Sequence, residues 1–186
     1  MQRSLVGSEM CIRDRYYLRH EAAAQTVLNE ADLIFCLDFN GLNRLQEMGA
    51  AVSRAKADRI IIDHHLNPDT AMAKMVISYP DKSSTSELVF RLIHQLGGFD
   101  NMTRQCATCI YTGMMTDTGG FTYNSNDPEI YEIISLLLTK GIDKDKIYRN
   151  VFNVYSVDRI RLMGYIMYEK LQFHAGNLSL IHISEP

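Results

Sequence analysis

The sequence predicts an α/β domain with a mainly parallel sheet flanked by helices, followed by C-terminal connector helices. Two apolar runs too short for helices, Asp32-Leu33-Ile34-Phe35-Cys36-Leu37-Asp38 and Arg59-Ile60-Ile61-Ile62-Asp63-His64-His65, close on carboxylates. Such runs, bounded by polar residues, read as buried strands. Between them Leu42, Leu45, Met48, Gly49 and Val52 recur at helical spacing behind Asn40 as N-cap. Strand, helix, strand is the βαβ unit, whose crossover makes its strands parallel and nearly always right-handed. Asp38 and Asp63 therefore end their strands on one sheet edge, where open parallel sheets place their ligand sites.

The remaining elements follow in order. Glu21 to Glu30, with Ala22, Ala23, Ala24, Val27 and Leu28, has helix-forming composition and feeds the first strand. After the turn at Asn67-Pro68-Asp69, Lys74 to Tyr79 is a third strand that stops at Pro80. Ser84-Thr85-Ser86-Glu87 reads as a capping box opening a helix over Leu88, Phe90, Leu92, Ile93 and Leu96. A helix N-terminus dressed with hydroxyls also suits an anion, so Ser84, Thr85 and Ser86 are either caps or substrate-binding groups. Thr103 to Met115 reads as a helix with Cys106, Ile110 and Met114 on one face, breaking at Thr116-Asp117-Thr118-Gly119-Gly120. Asp117 there is a turn residue or a carboxylate that the glycines let a ligand approach. Asp127-Pro128 starts a helix over Ile130 to Leu138, Asp143 caps another, and an amphipathic segment runs from Val157 to Leu171 as a connector.

Composition narrows the function. With 186 residues, 46% of them hydrophobic, the chain can bury one good core, and no apolar run approaches the eighteen or so residues that cross a bilayer. A formal net charge of -3 argues against a long nucleic-acid groove and leaves room for a small anionic substrate. The four cysteines lack the density of a disulfide scaffold and point to a reducing, cytoplasmic setting. Cys106 and Cys109 have redox spacing but sit in a helical pattern and read as buried core thiols; His94 reads as a packing or surface residue. Both ends read as foreign to the domain: 1–15 and 178–186 lack a clean structural period and resemble translated adapter read-through.

At the site, Asp38, Asp63, His64 and His65 bring two carboxylates and two imidazoles to one pocket. Asp-His-His after a hydrophobic strand, with carboxylates matching further motifs at Asp38 and Asp117, resembles the DHH phosphoesterase superfamily. The resemblance runs from roughly Glu30 to Leu171 and is nearest to its NrnA-type bacterial oligoribonucleases and 3′-phosphoadenosine 5′-phosphate phosphatases, related to the RecJ exonucleases. It implies a partial phosphoesterase domain over 16–155 and a connector helix over 156–177 toward a C-terminal substrate-binding domain. It also implies that Asp38 bridges two manganese ions (magnesium being possible), that His64 and Asp117 are further ligands, and that His65 lies near the scissile phosphate. Asp63 would chiefly orient its neighbours. The implied substrates are short RNA or a nucleoside bisphosphate. Phosphodiester hydrolysis needs a hydroxide at neutral pH and neutralised phosphoryl oxygens, which two divalent ions about 4 Å apart supply. The family's first motif, a His followed by an Asp-Gly-Asp cluster, has no counterpart before Asp38, and its C-terminal glycine-rich element is not found. The chain therefore reads as a fragment inactive by itself, of an active parent. The alternative is a regulatory nucleotide-binding module of the same fold that has lost catalysis. Neither substrate preference nor oligomeric state is legible.

Overall fold

The expected βαβ unit is present. In the computed structural model, which describes residues 20–174 and 177–180, β1 (Leu33–Leu37), β2 (Asp58–Asp63) and β3 (Met75–Ser78) form a parallel sheet in that spatial order. The N-terminal stretch read as foreign, 1–15, lies outside the described residues, as do 181–186 of the C-terminal one. The chain divides into two units after Asp143.

In the first unit, α1 (Glu21–Glu30) leads into β1 and α2 (Gln46–Arg54) crosses to β2. After β3 come α3 (Thr85–Gln95), α4 (Arg104–Asp117) and α5 (Pro128–Thr139). β2 is the central strand and its C-terminal half is fully covered, so Ile61, Ile62 and Asp63 are all buried. Cys36 packs with Ile61 and Met72 on one side of the sheet, while Leu28, Leu45, Ala51 and Val52 join α1 to α2. Arg59 at the start of β2 donates to the carbonyls of Val52, Ala55 and Met72. It thereby satisfies the C-terminal carbonyls of α2 and fixes where that helix ends. Because the register sets Leu37 opposite Ile62 and Asp63 opposite Ser78, Asp38 leaves the sheet level with Asp63.

Several local readings change. The helix expected from Leu42 begins instead as a 3-10 turn, Leu42–Leu45, before α2. Asn40 is not its N-cap: its side-chain amide donates to the Leu66 carbonyl at 2.9 Å, and its own carbonyl accepts from the Asp69 amide at 2.7 Å. A contact 26 residues away thus wins over a local cap. Gly49 lets the 3-10 turn fold back onto α2, since a Cβ there would collide with the Leu42 carbonyl. α4, capped by the Thr103 hydroxyl on the Cys106 amide, runs two residues beyond its expected end and includes Asp117 in its last turn. The left-handed run Gly119, Gly120, Phe121 then reverses the chain. On α4 the buried residues are Ala107, Ile110, Tyr111, Met114 and Met115; Cys109 is exposed and Cys106 half-buried, so these thiols are not core residues. His94 packs against Phe90 and Phe99, as a packing residue should.

The second unit holds α6 (Lys144–Phe152), α7 (Val157–Tyr165), a π-helical turn over Ile166–Lys170 and an antiparallel pair, β4 (Leu171–His174) with β5 (Asn177–Leu180). The connector expected as one helix to Leu171 is thus shorter, and the change of pitch follows Gly164, whose helix preference is poor. Leu178 to Leu180, read as part of a foreign tail, lie in β5.

Candidate metal centre

Asp38 follows β1 with a left-handed backbone, φ 66°, unusual for a residue with a Cβ. Its amide still donates to the Ile62 carbonyl at 3.1 Å, so the conformation is held by the sheet next door. This turns the carboxylate across the sheet edge, where the Thr85 hydroxyl donates to Oδ1 at 3.0 Å. His64 leaves β2 beside it. Its Nδ1 lies 3.3 Å from the Lys82 carbonyl, which can only accept, so with a cation between Nε2 and the carboxylates the Nδ1 hydrogen would have its partner and Nε2 would be the ligand atom. Nε2 is 3.2 Å from Asp117 Oδ2 and 3.8 Å from Asp38 Oδ1.

Asp63 is fully buried. Its Oδ1 takes His65 Nδ1 at 2.7 Å, while Oδ2 has no hydrogen-bond partner among the described residues. A buried carboxylate is stable only where something it holds repays its desolvation. Here that is the His65 ring, half-exposed and edge-on to His64 with centroids 4.8 Å apart. Asp38, His64 and His65 each offer a ligand atom, all within 4.8 Å of one another. Asp117 joins them through His64, and the set of carboxylate oxygens with imidazole nitrogen fits a divalent cation of hard to borderline character.

All four residues singled out around the Asp-His-His run therefore converge, with Asp117 arriving from α4. The hydroxyls at the start of α3 divide. Ser84 caps the helix by accepting from the Glu87 amide at 3.1 Å, Thr85 serves Asp38, and Ser86 lines a cavity of about 840 Å³ with Asp38 and Asp117. The expected capping box is altered, because the Glu87 carboxylate reaches the Ser83 amide and not that of Ser84. Lys82, whose carbonyl holds His64, is itself held by Asp127 at 3.2 Å, and this hydrogen bond raises the pKa of its ammonium. Asp127 is pushed below the usual carboxylate range by the Glu129 amide and then by Lys82. Sequence reasoning missed Lys82 and Ser83. No residue type signals a backbone carbonyl that holds an imidazole, whereas Ser83, beside the three hydroxyls, was within reach of it.

Comparison with known proteins bears on this site. A family described as the DHH family, N-terminal domain, matches residues 5–114. The bifunctional oligoribonuclease and PAP phosphatase NrnA of Thermus thermophilus is 34% identical over 121 residues, covering 64% of this chain and 35% of that protein. An uncharacterised protein of Mycoplasma pneumoniae is 28% identical over 95 residues, covering 51% of this chain and 28% of its own. The crystal structure of an exopolyphosphatase-related protein from Bacteroides fragilis matches with a TM-score of 0.82 at 54% identity, over 85% of this chain and 46% of that one. The chain thus spans about a third of the curated relatives' length.

Proposed function

The chain belongs to the DHH family, and from that premise we propose that it is the core of a metal-dependent phosphoesterase that hydrolyses short oligoribonucleotides, 3′-phosphoadenosine 5′-phosphate, or both. The observation that carries the reading is the meeting of Asp38, His64 and Asp117 at the carboxyl edge of the sheet, with His64 Nε2 3.2 Å from Asp117 and 3.8 Å from Asp38. Asp38, His64 and Asp117 would hold manganese, or magnesium in its place. When bound, the ions supply a hydroxide at neutral pH and neutralise charge on the phosphoryl oxygens.

The chain's own groups supply orientation. Thr85 holds Asp38 Oδ1 by donating its hydroxyl hydrogen to it. The Lys82 carbonyl would accept the His64 Nδ1 hydrogen and leave Nε2 as the ligand atom when an ion is bound. Asp63 holds His65 at Nδ1, so Nε2 is the ring atom left to meet a phosphoryl oxygen or hold a proton. Ser86 and the first turn of α3 face the cavity beside these groups and suit an anionic oxygen of the substrate. The net charge of -3 fits a short substrate better than a long duplex. Among the described residues no helix is long and apolar enough to cross a membrane, and Cys36, Cys106 and Cys109 are free thiols. Free thiols suit a reducing compartment such as the cytoplasm. Retention of these donors favours an enzyme over the regulatory module.

The test is to supply this chain with the flanking segments of the Bacteroides relative and measure turnover of a labelled diribonucleotide. Turnover that needs manganese and disappears in Asp38→Ala and His64→Ala is expected. Metal-independent turnover that survives Asp38→Ala would refute the mechanism.

A further inference from the structure

Glu87 is fully buried, which is rare for a carboxylate unless its whole bonding capacity is used. Capping α3 would occupy one oxygen with one amide. Instead Oε2 accepts from the Ser83 amide at 3.0 Å and the Ser83 hydroxyl at 2.6 Å, and Oε1 accepts from Arg91 Nε and Nη2 at 2.9 and 2.7 Å. Arg91 continues to Glu129 at 2.6 Å, and Glu129 with Asp127 holds the Lys82 ammonium at 3.8 and 3.2 Å. The segment from Lys82 to Thr85 is therefore clamped at its side chains and its backbone from the side away from the metal centre.

On its other side the same four residues touch the centre twice. The Lys82 carbonyl fixes His64, and the Thr85 hydroxyl fixes Asp38, although those two groups come from different strands. The sheet sets where the two backbones stand, and one short segment holds both side chains. We propose that Glu87, acting through Ser83, is a positioning residue of the metal centre. Its bonds go to Ser83 and Arg91, and through Ser83 it holds the segment that orients both. The inference rests on the metal-dependent reading above and adds to it a residue that a ligand count would not find.

The test uses the 186-residue chain. Manganese affinity is followed by the paramagnetic resonance of free Mn²⁺, and the setting of the His64 ring by the ¹H–¹⁵N shifts of its imidazole. Glu87→Gln keeps the shape and removes the charge that Arg91 and the Ser83 hydroxyl share; Ser83→Ala removes one hydroxyl and is the milder change. Thr103→Ala, which removes the cap at the far end of α4 from Asp117, controls for lost stability alone. Partners outside the ligand set typically change metal affinity by about tenfold to a hundredfold. We expect a weakening of at least about tenfold in Glu87→Gln and Ser83→Ala, displaced His64 ring resonances, and neither effect in Thr103→Ala. If Glu87→Gln does not fold, Ser83→Ala decides. A folded Ser83→Ala with wild-type affinity and unchanged His64 ring resonances overturns the inference and leaves the phosphoesterase reading standing. A wild-type chain that binds no manganese overturns both.

Discussion

Gly113→Ala sets stability against function at one atom. Gly113 lies on α4 where that helix crosses the first turn of α3, and a Cβ there would overlap the Ser86 hydroxyl and stand 2.8 Å from Ser86 Cβ. The hydroxyl can rotate away, but Cβ cannot. Two carbons need about 3.5 Å, so the helices must part by about 0.7 Å. Overpacking of this kind costs about 1–3 kcal/mol, while replacing a mid-helix glycine by alanine returns about 1 kcal/mol. The net loss is at most about 2 kcal/mol, a fall in Tm of no more than about 8 °C in a chain of this size. The consequence for the centre is larger. The Thr85 hydroxyl, one residue before Ser86, is 3.0 Å from Asp38 Oδ1, at the long end of its range, and the same displacement takes it to about 3.7 Å, beyond hydrogen bonding. Asp117 sits one turn beyond Gly113 and shifts relative to His64 in the same movement. Manganese affinity should therefore fall by about tenfold or more, about 1.4 kcal/mol, while circular dichroism shows a folded protein with a modestly lower Tm. Wild-type affinity in a folded Gly113→Ala protein would show that the close helix crossing does not set the geometry of the centre.

Three further outcomes follow from the same structure. The isolated chain should turn over a labelled diribonucleotide negligibly even in millimolar manganese, since Asp38, His64, His65 and Asp117 can furnish one ion but not two; robust turnover would mean the donors have been miscounted. Iodoacetamide should modify exposed Cys109 well before Cys36, because burial pushes the Cys36 thiol pKa up and keeps it protonated; mass spectrometry finding Cys36 labelled first in native protein would contradict its placement. Asp127 has its pKa lowered in the folded state, so its contribution is present above the ordinary carboxylate range and lost as pH falls through the lower folded value; Lys82, raised in the folded state, contributes below the ordinary lysine range and is lost as pH rises through its folded value. Replacing Asp127 by Asn should flatten both the acid and the alkaline limbs of the Tm profile, and an unchanged profile would show that the pair contributes nothing.

Periodicity and punctuation in the chain were enough to specify the parallel βαβ unit, the three strands, the helix starting at Pro128 and the edge at which Asp38, Asp63, His64 and His65 gather. These follow from local rules: alternation and burial decide strands, caps decide helix ends, and a crossover of helix length makes strands parallel. What depended on contacts distant in sequence was legible only in the tertiary structure. Asn40 looked like a cap because its true partner, the Leu66 carbonyl, is 26 residues away. Asp117 could be read from its neighbours as either a turn residue or a ligand carboxylate, because nothing nearby shows that α4 continues to it and aims it at His64. Thr85 looked like one of three equivalent hydroxyls until Asp38, 47 residues earlier, came within 3.0 Å. The sequence alone decided which chemical groups stand at the sheet edge, because strand ends are local. Their mutual orientation was decided by the fold, because the groups that set it, the Lys82 carbonyl, the Thr85 hydroxyl and the buried Glu87, come from a segment that only packing brings beside the strands.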